Sequence, residues 1–231
     1  MRILSVLVLV LGLTCPALAQ TPPPASLTLT GTGEIAAAPD MATITLGVVS
    51  FKPTAAQAMA ETSASTAKII DALKAAGIDG ADMQTRDLSL NPRWKNRPYK
   101  AGEAPEIEGF TASNTLMVRV RDLDVLGGVL DQVVQLGANQ FRGLSFGLQE
   151  PEPAQDDARR AAVAEAMRKA QLYAEAAGVT LGPILSISET GRTAPQPVMM
   201  MEAARMSADV PVEGGEVSVS AQVTMVFAID P

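Results

Sequence analysis

The sequence predicts an α+β fold of mainly antiparallel sheets with Ala-rich helices packed on one face. Three observations lead there. Ile44, Leu46 and Val48 alternate with Thr43, Thr45 and Gly47, the period of a strand with one buried face. Two long Ala-rich runs read as helices, and each ends at a glycine followed by an apolar residue. Each of these runs also follows one strand and precedes two, so a strand–helix–strand–strand unit is duplicated. Because the strands alternate instead of running apolar throughout, each sheet should have one helix-covered face and one wetter face.

The elements follow in order. A short strand at about 27–36 is joined by the turn signal Pro39-Asp40 to a second strand at about 41–51. Residues 53–76 hold no internal glycine or proline. Met59, Thr66, Ile70 and Leu73 fall on one helical stripe there, and Gly77 stops the helix. Strands at about 82–92 and 106–121 come next, with Leu116, Val118 and Val120 facing one way. The segment 122–136 is helical, with Leu126, Val129, Leu130 and Val133 as its buried stripe and Gly137 as its stop. Leu144, Phe146 and Leu148 mark a strand, and Pro151 and Pro153 open the second Ala-rich helix, which ends at Gly178. Leu185 and Ile187 mark another strand. Val217, Val219, Val223, Met225, Phe227 and Ile229 form one face of the last. The two pseudo-repeats therefore run from about 27 to 121 and from 140 to 230, bridged by the 122–136 helix.

The N-terminus carries a processing signal. Arg2 supplies a positive end, Ile3 to Leu13 an apolar core, and Ala17-Leu18-Ala19 a small-x-small cleavage site, so 1–19 reads as a signal peptide cut between Ala19 and Gln20. A run of eleven residues falls well short of the roughly 20 that span a bilayer. Cys15 is not preceded by a lipobox, and residues 20–26 form a Pro-rich leader. The mature chain of 212 residues has no cysteine and no histidine. Its net charge moves from −7 to −8 when Arg2 is removed. An acidic chain with a pI near 4.7 is ill suited to nucleic acid, whose binding rests on neutralising phosphates. A mature form without a spanning segment can still meet a membrane at its surface.

That composition excludes Ser-His-Asp and Cys-His catalysis and the usual zinc sites. Gly31-Thr32-Gly33-Glu34-Ile35-Ala36 formally fits a dinucleotide fingerprint, but no helix can start before Pro39, so the glycines read instead as relief for a bulged or edge strand. Glu150, Glu152, Asp156 and Asp157 cluster at the start of the second long helix, where carboxylates complement the helix dipole. No catalytic residue, cofactor or metal site is assigned.

Two clusters stand out as candidate interfaces. Arg93, Trp94, Lys95, Arg97, Tyr99 and Lys100 concentrate basic and aromatic side chains at the tip between two strands. They read either as a solvated hairpin tip or as a contact patch for an acidic neighbour subunit, anionic glycan or lipid headgroup. Met199, Met200, Met201 and Met206 crowd into nine residues flanked by prolines and alanines. The leading reading is a loop or interface segment, with oxidant scavenging and Cu(I) binding as rivals. A carboxylate-dependent hydrolase of envelope glycans is a further rival, requiring two carboxyls roughly 5–9.5 Å apart in a cleft.

Several stretches together are similar to the SIMPL-domain family of exported bacterial proteins. They are Gly31-Thr32-Gly33-Glu34 with Pro39-Asp40-Met41-Ala42, residues 73–92, 109–140 and 146–189, and the ending 213–229, in family order over nearly the whole mature chain. The resemblance implies a SIMPL domain at 27–231 in a periplasmic protein that assembles into large ring-like homo-oligomers and contributes to envelope oxidative-stress defence. It carries over no catalytic residues. The expectation is a non-enzymatic assembly protein.

Overall fold

The computed structural model describes residues 25–96, 104–189, 196–198 and 212–230. The expected signal peptide and its Ala19–Gln20 cleavage site lie outside the described residues, as does the leader up to residue 24. Ser26 already belongs to the first strand.

Among the described residues the elements are β1 (Ser26–Ala37), β2 (Met41–Lys52), α1 (Ala55–Ala75), β3 (Met83–Trp94), β4 (Ile107–Val120), α2 (Leu126–Gln135), β5 (Gln140–Gly147), α3 (Glu152–Ala177), β6 (Thr180–Glu189), β7 (Gln196–Val198) and β8 (Glu216–Asp230). The mixture of helices with antiparallel sheets is the α+β class that the periodicities predict. The helix ends are local in origin. Gly77 and Gly178 adopt φ of 88° and 69°, a left-handed conformation that costs glycine nothing. The following Ile78 and Val179 donate back to Leu73 and Ala174, closing the turn. At the other end of α1, the Thr54 hydroxyl accepts the Gln57 N–H.

The strands form two four-stranded sheets. One runs β3-β4-β2-β5; the other runs β1-β8-β6, with β7 also paired to β8. The order strand–helix–strand–strand occurs in β2-α1-β3-β4, and β5-α3-β6-β7-β8 follows the same order with the short β7 inserted. The pairing, however, is exchanged between them. β5 pairs with β2, while β1 takes the place beside β8. The stretch around Pro39-Asp40 separates β1 from β2 as expected, but it is a plain link with no hairpin turn, and the strands it joins part into different sheets.

Each helix covers one sheet face. Ile69 and Leu73 of α1 pack on Ile44, Leu46, Leu116 and Val118, all nearly inaccessible, and Val129, Leu130 and Val133 of α2 join the same cluster. The buried line of α1 is Ala58, Thr62, Thr66, Ile69 and Leu73. It lies beside the predicted one, since Met59 and Ile70 are only half-buried. Part of this layer is polar: the Ser50 hydroxyl donates to the Ala58 carbonyl at 2.8 Å and shares a 2.6 Å hydrogen bond with Thr62.

α3 meets its sheet differently. Its buried line is five alanines, Ala158, Ala162, Ala166, Ala170 and Ala174, against Ala221, Val223, Met225 and Phe227. A side chain on Gly31 would meet the Ala166 nitrogen at 2.6 Å, and one on Gly33 would meet the Ala162 nitrogen at the same distance. The register of β1 on β8 is unbroken through both glycines. They do lie on an edge strand, yet their role is to let helix backbone approach strand backbone, with no bulge to relieve.

Candidate functional site

The four outer strands decide what this molecule can offer a partner, because a free strand edge presents unpaired N–H and C=O groups. β1 is guarded. The Thr32 N–H donates to the Glu165 carboxylate at 2.6 Å, the Thr32 hydroxyl donates to the same oxygen at 3.0 Å, and the Lys169 ammonium donates to the Thr30 carbonyl at 3.0 Å. The hydrogen bond from the Thr32 backbone, then one from Lys169 to Glu165 itself and the one from the Thr32 hydroxyl, hold the Glu165 carboxyl down at about 2. Glu165 and Lys169 also pair with each other at 3.1 Å. The closeness of α3 to β1 is what lets these two side chains reach the strand edge.

The other edges are shaped by the chain itself. β3 bulges at Arg86 and carries Pro92, and β5 shifts register around Arg142. β6 shifts twice, between Leu181 and Ser186, around Pro183. A bulge or a proline limits how far a new strand can extend. Between these interruptions apolar side chains stand in solvent. Leu88 is 57% exposed, with Leu90, Trp94 and Ile107 beside it on the β3–β4 hairpin. Ile187 is likewise 57% exposed, with Ile184 and Leu185 on β6 and Met167 on α3. Both groups arise because the helices are seated mainly on other strands: α1 lies over the central β2 and β4, and α3 lies over β1 and β8.

Of the predicted tip residues, Arg93, Trp94 and Lys95 fall on the β3–β4 hairpin. Arg97, Tyr99 and Lys100 lie outside the described residues, as do Met199, Met200, Met201 and Met206. The described basic residues are already neutralised within the hairpin. Arg93 pairs with Glu108 at 3.0 Å and stacks 4.9 Å from the Phe51 ring centre, while Lys95 pairs with Glu106 at 2.5 Å. An acidic partner would meet Arg93 and Lys95 with their charges already balanced.

The acidic group at the α3 N-terminus lines an open cleft of about 700 Å³ with Gln149 and Arg160. Asp156 and Asp157 pair with Arg159 and Arg160 one turn on, at 2.8 and 2.6 Å, as carboxylates opening a helix commonly do. A second ionic cluster escaped the sequence reading. Asp82, with its side chain 5% exposed, takes both nitrogens of the Arg121 fork at 2.6 and 2.8 Å and lies 3.1 Å from Arg119. The Arg121 hydrogen bonds and the two positive charges outweigh burial and keep its carboxyl below the ordinary value. This cluster ties the end of the α1 unit to β4. A cleft of about 500 Å³ between α2 and β5, lined by Leu130, Val134, Phe141, Leu144 and Phe146, adds a further apolar surface.

The exposed Leu88, Leu90, Ile184, Leu185 and Ile187 were not singled out as functional by the sequence reading. The signal that could have found them is the paired pattern Leu88-Ser89-Leu90 and Leu185-Ser186-Ile187, each following a helix and each close to a proline.

Comparison with known proteins places these features in a family context. The SIMPL family, described as a protein of unknown function (DUF541), matches residues 27–227. The 26 kDa periplasmic immunogenic protein of Brucella melitensis is 38% identical over 236 residues, covering 97% of this chain and 94% of that one. The uncharacterized protein YggE of Edwardsiella ictaluri is 33% identical, covering 83% and 79%. YggE of Escherichia coli is 30% identical, covering 87% and 82%.

Proposed function

The chain belongs to the SIMPL family, and on that premise we propose that it is a non-enzymatic periplasmic protein working through self-association. The location is supported by the name of the periplasmic Brucella relatives and by the signal-peptide pattern of residues 1–19. The observation that carries the assembly reading is the pair of exposed apolar groups, Leu88 with Leu90 and Ile184 with Leu185 and Ile187, on two outer strands. Contiguous apolar side chains of this size left in water mark an interaction surface. The assembled protein contributes to envelope defence under oxidative stress through its structure, with no turnover required.

Light scattering on the purified mature chain tests this. The expected result is a mass several times that of one chain. A single-chain mass at every working concentration would remove the proposal. The defence role is tested separately by the survival of cells lacking the protein when exposed to peroxide: survival equal to the parent's would remove that part alone.

A further inference from the structure

The hydrogen-bond pattern specifies how the two outer strands meet. The Asn139 side chain takes both the N–H and the C=O of Val49, at 2.8 and 2.7 Å, on the side of β2 away from β4. Val49 therefore makes no ladder bond to its partner Ser113. In an antiparallel ladder bonded and non-bonded pairs alternate across each strand. Ser113 must then bond to its other partner, Ser89, and the backbone groups of Leu88 and Leu90 point out from the sheet edge. Pro92 fits the same parity, since its missing N–H falls on the outward side.

The same reasoning runs through the second sheet. Thr32 and Thr30 direct backbone groups to Glu165 and Lys169, away from β8. Their partners Gln222 and Thr224 therefore bond on the β6 side, where Thr224 faces Ser188. That leaves the N–H and C=O of Ile187 and Glu189 pointing outward.

We propose that β3 of one copy pairs antiparallel with β6 of the next, Leu88 opposite Ile187. This rests on the self-association reading above and names its interface. In this register Leu90 falls opposite Leu185 and Ser89 opposite Ser186. Arg86, which among the described residues pairs with no acid and hydrogen-bonds to Gln84 at 3.2 Å, falls opposite Glu189. Glu189 already pairs with Arg159 at 2.9 Å and would be shared between the two arginines. Leu88 and Ile187 lie on the helix side of their sheets, so the apolar side chains meet on one face and the serines on the other. Pro92 falls opposite Pro183, which ends the ladder after a short run. The two surfaces differ, so the contact is head-to-tail and repeats into a closed ring or an open filament.

The test uses the mature chain and two variants, Leu88→Pro and Ile187→Pro. Each removes an outward N–H that its own sheet does not use. Circular dichroism checks the fold, and Leu88→Lys and Ile187→Lys replace either variant that fails to fold. Sedimentation velocity should show the parent assembled and each variant reduced to a single chain. An equimolar mixture should give a discrete two-chain species, because each variant keeps the surface the other has lost. Variants that assemble like the parent would overturn this interface while leaving self-association standing. Monomeric variants whose mixture stays monomeric would overturn the head-to-tail pairing. A monomeric parent would remove the underlying reading itself.

Discussion

The two helix layers of this protein solve one packing problem in opposite ways. α1 stands on Ile69 and Leu73 above large aliphatic residues of β2 and β4. The fully buried line of α3 is alanine alone, and it presses onto a strand whose Gly31 and Gly33 have made room. The difference has a consequence at the sheet edge. Pressed close and shifted toward β1, α3 brings Glu165 and Lys169 onto the strand's outward backbone. α1 sits over the sheet centre and barely reaches β3, leaving Leu88 and Leu90 exposed. Close packing on small residues seals one edge; packing on large residues leaves another available.

That contrast is breakable from both sides. The largest effect is expected in the aliphatic layer, where Ile69→Ala leaves a cavity and should destabilise by about 2–5 kcal/mol in denaturant unfolding. In the alanine layer enlargement should do the damage. Gly33→Ala forces α3 off β1 and should cost about 3 kcal/mol, the upper part of the usual range for overpacking. Gly143→Ala, with open space around it, should fall within about 0.5 kcal/mol of the parent. If Gly33→Ala is equally harmless, the close approach of α3 is refuted.

The ionic ties give smaller effects. Asp82→Ala removes a buried acceptor from Arg119 and Arg121. The arginines are 41% and 50% exposed and can turn to water, so a loss of about 1–3 kcal/mol is expected in the same unfolding experiment. Glu165 supplies the smallest effect, read through pH. Its carboxyl lies at about 2 in the folded chain against an ordinary 4.5, so the folded state favours the ionised form. Its stabilising contribution is full above about pH 4.5 and drains away as the pH falls toward about 2. Glu165→Gln should flatten that portion of the stability–pH curve. An unchanged slope would mean that Glu165 does not hold the β1 edge in solution.

Much of the architecture was legible locally. The glycine stops at 77, 137 and 178 and the apolar faces of β4, α2 and β8 follow from period and cap chemistry alone. The stripe on α1 was displaced because Met59 and Ile70 outweighed Ala58 and Ile69 in a run where most buried positions are alanine or threonine. Strand partnership was not legible: alternation says that Ile44 faces a core but not that β5 lies beside β2 or that β1 crosses to β8. The charge balance at the start of the basic tip was not legible for a similar reason, since Glu106 and Glu108 meet Lys95 and Arg93 only once the hairpin register is set. The exposed leucines of β3 alternate as any covered strand does, and only the position of α1 shows that no described helix lies over them.

Hydrogen exchange at three backbone amides tests the contrast between sealed and available edges most directly. Thr32, held by Glu165, should exchange slowly whether the protein is assembled or dilute. Leu88 and Ile187 should exchange fast in the dissociated chain and slow by at least about tenfold on assembly, as expected when an open N–H gains a partner. Equal, fast exchange of Leu88 and Ile187 in both states would contradict the account.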